Sequence, residues 1–180
     1  MEYTFNNQII HEALSRLNDL LRAKETTGEI CIFGGAAMIL AFDARFATRD
    51  VDAIFVPKNV IAGAIEMIAD EMNLPKSWLN DGVKGFVSDK KDFTEENMPQ
   101  FSHLRVIRPT APYLLAMKCM ASRVGGYGER GDITDIKLLC KHLNCKHAGE
   151  VFQMILNYYP KSQIPIRTQY FIEEIFQEPF

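Results

Sequence analysis

Apolar residues recur at helical spacing near the start of the chain. Ile10, Leu14, Leu17 and Leu21 alternate with Arg16, Asn18, Asp19 and Arg22, which predicts an amphipathic helix over 7–24. Thr26-Thr27-Gly28 ends that pattern. Ile30-Cys31-Ile32-Phe33 is a short unbroken apolar run and predicts a buried strand. Gly34-Gly35 follows, and 36–42, rich in Ala, Leu and Met, predicts a second helix. Residues 51–56 predict a second strand, opened by Asp50 and Asp52 and stopped by Pro57. An amphipathic stretch over 59–72 predicts a third helix. The polar region 75–102, with Pro75, Gly82, Gly85 and Pro99, reads as irregular, and Leu104-Arg105-Val106-Ile107 as a third strand.

Beyond that strand the pattern is helical. Thr110 is placed as an N-cap, with Pro112 in the first turn of a helix reaching 123. Gly125-Gly126-Tyr127-Gly128 reads as a loop. Asp132 is placed as the cap of a helix to 143, and 151–159 and 168–176 predict two more. The order predicts an α+β protein: a small mixed sheet flanked by helices, with a helical C-terminal half. Residues 1–109 form the expected core with its N-terminal helix, and 110–180 the helical region.

Composition narrows the class. The chain has 180 residues, 47% hydrophobic and 24% charged, the profile of a globular protein with an ordinary core. Its 20 basic and 23 acidic residues give a net charge of −3, which excludes a generic, strongly basic nucleic-acid binder. The charge is uneven. Residues 1–100 hold 10 basic and 16 acidic residues, and residues 101–180 hold 10 and 7. No stretch approaches the roughly 20 apolar residues of a membrane span, and the first residues lack the pattern of a signal peptide. Cys31 and Cys119 lie in apolar runs, as small buried hydrophobes do. The expectation is a cytoplasmic protein.

One constellation carries chemistry. A strand runs into Gly34-Gly35, which opens a helix whose N-terminal N–H groups and positive dipole end suit a phosphate. Glycine there lets a ligand approach the backbone. Some fifteen residues on, Asp50 and Asp52 stand two apart at the start of a strand, so both carboxylates share one face. Paired carboxylates suit a hard cation such as Mg²⁺, and a phosphate seat beside them suits metal-assisted phosphoryl or nucleotidyl transfer.

This arrangement resembles the nucleotidyltransferase superfamily with the DNA-polymerase-β-like fold, whose signature is a Gly-Gly or Gly-Ser at a helix start, then Asp-x-Asp on the next strand. Gly34, Gly35, Asp50 and Asp52 match it. It more closely resembles bacterial families related to the AbiEii-type toxins of toxin–antitoxin systems. Those share Gly-Gly, then Arg-x-x-Thr-x-Asp-x-Asp, matched by Arg45, Thr48, Asp50 and Asp52. They also carry a Leu-Ala-x-Lys helix, here Leu115-Ala116-Met117-Lys118, and an Asp-rich helix start, here Asp132-Ile133-Thr134-Asp135. Trp78-Leu79-Asn80-Asp81 is similar to a segment of uncharacterised members. The resemblance covers roughly 28–145.

It implies a cytoplasmic Mg²⁺- (or Mn²⁺-) dependent enzyme that moves a nucleoside monophosphate from a nucleoside triphosphate to an acceptor hydroxyl on tRNA, protein or a small molecule. An antitoxin is an implied partner. Asp50 and Asp52 would hold the metal; Gly34, Gly35, Arg45, Thr48 and Arg49 would line the nucleotide; Lys118 would neutralise triphosphate charge; Asp132 or Asp135 would position Lys118 or move a proton. The residues alone also allow plainer roles: Lys118 as a snorkelling helix lysine, Asp132 as an N-cap, and Asp135 favourably placed against the helix dipole. Many members place a third carboxylate on a later strand. The matching strand here, 104–107, has none, and Asp81 is the nearest candidate base. A catalytically weakened nucleotide-binding or interaction module of the same fold is the second expectation. Cys140, His142, Cys145 and His147 form a dense Cys/His run, but their spacing matches no common zinc site and Cys140 falls in an apolar helix.

Overall fold

A computed structural model describes residues 3–122 and 129–177. Its chain divides into two compact units, Met1–Gly85 with Phe93–Arg108, and Phe86–Asp92 with Pro109–Phe180. The fold is α+β, with seven helices among the described residues, a five-stranded mixed sheet and a helical C-terminal half.

The first unit opens with α1 (Asn7–Ala23). Asn6 caps it, its side-chain oxygen accepting from Ile9 N at 2.9 Å. The predicted stripe is the buried one, including Ile10, Leu14, Leu17 and Leu21. Then follow β1 (Gly28–Ile32), α2 (Gly34–Phe42), β2 (Val51–Val56) and α3 (Lys58–Glu71). Two-residue strands β3 (Leu79–Asn80) and β4 (Phe93–Thr94) flank a 3₁₀ turn at Gly82–Phe86, and β5 (Leu104–Pro109) closes the sheet. The sheet order is β3-β2-β1-β5-β4, with β1 antiparallel to β2 and parallel to β5, and β2 parallel to β3. Helix α1 packs against α3 and α2.

The second unit is built around α4 (Ala111–Ala121), which packs on α5 (Glu129–His142), α6 (Ala148–Tyr158) and α7 (Ile166–Ile175). Tyr113, Leu115 and Cys119 of α4 are fully buried, as are Ile136 and Leu139 of α5 and Val151 and Ile155 of α6. The segment 86–92 belongs here because its polar groups find partners here. Asp92 accepts from Thr110 Oγ1 at 2.8 Å and Tyr158 Oη at 2.6 Å, and Ser88 N donates to Tyr113 Oη at 2.8 Å.

The structure corrects several local expectations. The stretch 75–102 is not wholly irregular, but two-residue strands are too short to show a period of two. Thr110 stands at the N-cap of α4 without capping it, since its hydroxyl donates to Asp92. That helix stops at Ala121, and Arg123 and the predicted Gly125–Gly128 loop lie outside the described residues. Asp132 does not cap α5, which begins at Glu129 and leaves Asp132 in its first turns.

Among the described residues no helix is long and apolar enough to cross a membrane. All four cysteines are free thiols. Burial raises the pKa of all four thiols, that of Cys140 to about 12, but Cys145 is half-buried and within reach of a reagent where the other three are buried. A raised thiol pKa means little thiolate at neutral pH, and thiolate is the reactive form. Titration of the folded protein with an aromatic disulfide reagent at pH 8 is therefore expected to label Cys145 alone, and all four thiols after denaturation. Rapid labelling of three or four thiols in the folded state would contradict this.

Candidate functional site

The site is built where β1 runs into α2. Phe33 takes the N-cap position in extended geometry, and its phenyl ring cannot accept a hydrogen bond from the first turn. Gly34 has φ +58°, a left-handed conformation that L side chains rarely adopt. Antiparallel pairing of β1 with β2 sets Ile32 opposite Ala53, and Phe33 N donates to the Asp52 carbonyl at 2.8 Å. This brings Asp52 alongside the helix start.

The two glycines are explained by what stands next to them. A Cβ at Gly34 would sit 3.0 Å from Asp52 Oδ2. A Cβ at Gly35 would overlap Thr48 Oγ1 outright, and stand 3.0 Å from Thr48 Cβ and 3.1 Å from Arg45 Nη1. Gly34, Gly35, Arg45, Thr48 and Asp52, distant in sequence, thus converge on one helix N-terminus. Thr48 is held by a two-way backbone bridge to Phe5, with N···O distances of 2.7 and 2.9 Å. Phe5 is itself fully buried.

Overpacking at Gly35 gives a test. Gly35→Ala is expected to destabilise by about 1–3 kcal/mol, the usual cost of forcing an atom into occupied space. Thr48→Ala removes the overlapping hydroxyl, so the double variant should recover part of that loss in thermal melts. A Gly35→Ala protein as stable as the parent would show that the loop simply yields.

Asp50 shares the less buried face of β2 with Asp52, while Val51 and Ala53 point into the core. One Asp50 oxygen, Oδ2, accepts from Asn80 Nδ2 at 3.1 Å. The Asn80 carbonyl oxygen in turn accepts from Gly82 N at 2.9 Å, which fixes the amide with its NH₂ toward Asp50. Asn80 arrives through β3, where it pairs with Asp52, and Val51 N donates to the Trp78 carbonyl. The buried Trp78 indole anchors this segment by donating to the Ile65 carbonyl at 3.1 Å. Asn80 is a candidate site residue that the sequence pattern does not single out, although it lies within Trp78-Leu79-Asn80-Asp81.

Asp81 makes a poor base here. It pairs with Lys84 and, at 3.4 Å, with Lys58. Hydrogen bonds from Lys84 first and Lys58 second hold its carboxyl below the ordinary value. A lowered pKa favours the ionised form and weakens proton uptake.

Lys118, Asp132 and Asp135 come together in the second unit. Lys118 Nζ lies 2.6 Å from Asp135 Oδ2 and 3.1 Å from Asp132 Oδ1. The Lys118 side chain is 10% exposed and that of Asp135 only 1%, so these two form a buried ion pair, with Asp132 half-buried beside them. Lys118 is therefore held by two carboxylates from α5. Arg49 is exposed beside Asp50 in the chain.

Other candidates have local roles. Cys145 N donates to the Cys140 carbonyl at 2.9 Å. His147 caps α6 in a capping box with Glu150. Among the described residues, no three His, Cys, Asp or Glu side chains are grouped to hold a metal. A cleft of about 750 Å³ lies at the far end of β1 and β5, lined by Glu29, Arg105, His103 and neighbours. None of the sequence-predicted site residues lines it.

The chain matches no protein-family model, no curated protein and no solved structure.

Proposed function

We propose that the protein is a nucleotidyltransferase, moving a nucleoside monophosphate from a nucleoside triphosphate to an acceptor hydroxyl on tRNA, protein or a small molecule. The observation that carries this reading is the convergence of Gly34, Gly35, Arg45, Thr48 and Asp52 on one helix N-terminus, with Asp50 on the same strand face. The resemblance to AbiEii-type toxin families extends the proposal to a toxin with an antitoxin partner.

The donor set fits a divalent hard cation. Asp50 and Asp52 would hold Mg²⁺ or Mn²⁺, since Mg²⁺ is commonly bound through one or two carboxylates, with substrate phosphates and water filling the other positions. Bound there, the ion would supply charge neutralisation and Lewis-acid polarisation of the triphosphate.

The remaining roles belong to the chain. N–H groups at the start of α2 would donate hydrogen bonds to triphosphate oxygens, with the helix dipole favouring the negative charge. Arg45 and Arg49 would add positive charge, and Thr48 a hydroxyl donor. Asn80 would keep the Asp50 carboxylate turned to its task, as outer-shell partners do for metal ligands. In the proposed reaction the acceptor oxygen bonds to the α-phosphorus as the bond to the β-phosphate bridging oxygen breaks. Pyrophosphate leaves, and the acceptor proton passes to solvent.

A second reading is favoured by one observation, the ion pairing of Asp81 with Lys84 and Lys58. With that acid engaged, the protein would bind nucleotide without transferring it. The test is incubation with each α-³²P-labelled triphosphate, Mg²⁺ or Mn²⁺, total RNA and cell protein, alongside titration calorimetry. Transfer of label supports the enzyme. Binding without transfer supports the module, and absence of both overturns the two readings together.

A further inference from the structure

We infer that Phe46 is the nucleobase platform of the site, stacking on the base of the bound triphosphate; this rests on the nucleotidyltransferase reading. Phe46 is 90% exposed, the most exposed large apolar side chain among the described residues. A phenyl ring left in water is unremarkable when scattered alone on a surface. Its position is what gives it meaning.

Phe46 follows Arg45 directly and precedes Thr48 by two residues. Both neighbours are packed on Gly35 at the start of α2. Thr48 is further tied to Phe5 through both of its backbone groups. The preceding bend is fixed as well, with Asp43 left-handed at φ 49° and Ala44 N donating to the Met38 carbonyl at 3.1 Å. The loop is thus anchored on both sides, and Phe46 projects into solvent from between two residues that border the proposed triphosphate seat. Arg45 and Arg49 bracket it in the chain. An exposed aromatic ring on a segment that also carries cations suits a nucleotide of any base, because every base has a π face.

The chemistry therefore assigns a ligand class, a planar heteroaromatic base attached to a polyphosphate, and predicts little discrimination among the four bases by this contact. The test measures binding of the four nucleoside triphosphates and of inorganic tripolyphosphate, with Mg²⁺ present, to the full chain. Phe46→Ala should weaken all four triphosphates by roughly 5- to 150-fold, the range of one base–aromatic stack. Tripolyphosphate affinity and the melting temperature should stay unchanged, since an exposed side chain supports neither the phosphate seat nor the core. Phe46→Trp should retain binding, and Phe46→Leu, apolar but unable to stack, should not. Unchanged triphosphate affinity in Phe46→Ala overturns the inference. So does an equal loss for tripolyphosphate, or full binding by Phe46→Leu. If the parent protein binds tripolyphosphate but no triphosphate more tightly, the stacking inference fails while the phosphate seat stands. If it binds neither, the nucleotidyltransferase reading fails and takes the inference with it.

Discussion

Asp50→Ala and Asp52→Ala are each expected to reduce nucleotidyl transfer by at least about 100-fold, the scale on which single electrostatic stabilisers of a transition state act. The readout is α-³²P label on the acceptor at saturating Mg²⁺. Both residues are only partly buried, so circular dichroism and the melting curve should change little. Asp52 stands beside the Gly34 turn and Asp50 beside Asn80. The two losses should be far from additive, because the carboxylates act as one unit. Asn80→Leu removes the hydrogen bond to Asp50 without touching the carboxylate. Its expected loss is about 10- to 100-fold, partly recovered by raising Mg²⁺, as for other outer-shell partners of metal ligands. Undiminished transfer by the Asp50→Ala/Asp52→Ala protein would sink the assignment of these residues and of the chemistry built on them.

Lys118→Met should lower stability by about 3–5 kcal/mol, the cost of breaking a buried ion pair by removing one member. Methionine keeps the length and apolar stem of lysine, so the loss reports the ammonium group and not a cavity. The buried carboxylate that loses Lys118 would be that of Asp135, at 1% exposure, while Asp132, at 35%, can turn to water. For a protein of this size each kcal/mol corresponds to roughly 2–4 °C, so the melting temperature should fall by about 6–20 °C. Adding Asp135→Leu removes the carboxylate that faced Lys118. Buried pairs replaced by apolar residues are often neutral or better, so this double variant should regain most of the loss. Additive losses in the double variant would overturn the ion-pair account altogether.

The longer elements were legible in the sequence because their burial is periodic. Helix α1 follows Ile10, Leu14, Leu17 and Leu21, and β1 and β2 follow the apolar run 30–33 and the alternation from Asp50. The helix start at Gly34-Gly35 was legible for the same reason, a strand pattern breaking into a helical one. Strand β3 was not, because Leu79 and Asn80 take extended pairing only from Val51 and Asp52 beside them. Of the two roles open to Asp132, the N-cap is not taken, and its side chain accepts from Lys118, fourteen residues earlier and on another helix.

Sequence alone determined the fold class, the order of the main elements and the residue types of the candidate site. Spacing along the chain specified those, since helical and extended periods are local properties of burial. Tertiary structure decided the rest. It showed that Gly35 is small because Thr48 and Arg45 fill the space beside it, that Asn80 orients Asp50, and that Lys118 is held by two carboxylates. These are contacts between positions 10 to 30 residues apart, set by strand register and helix packing, and no local pattern encodes them.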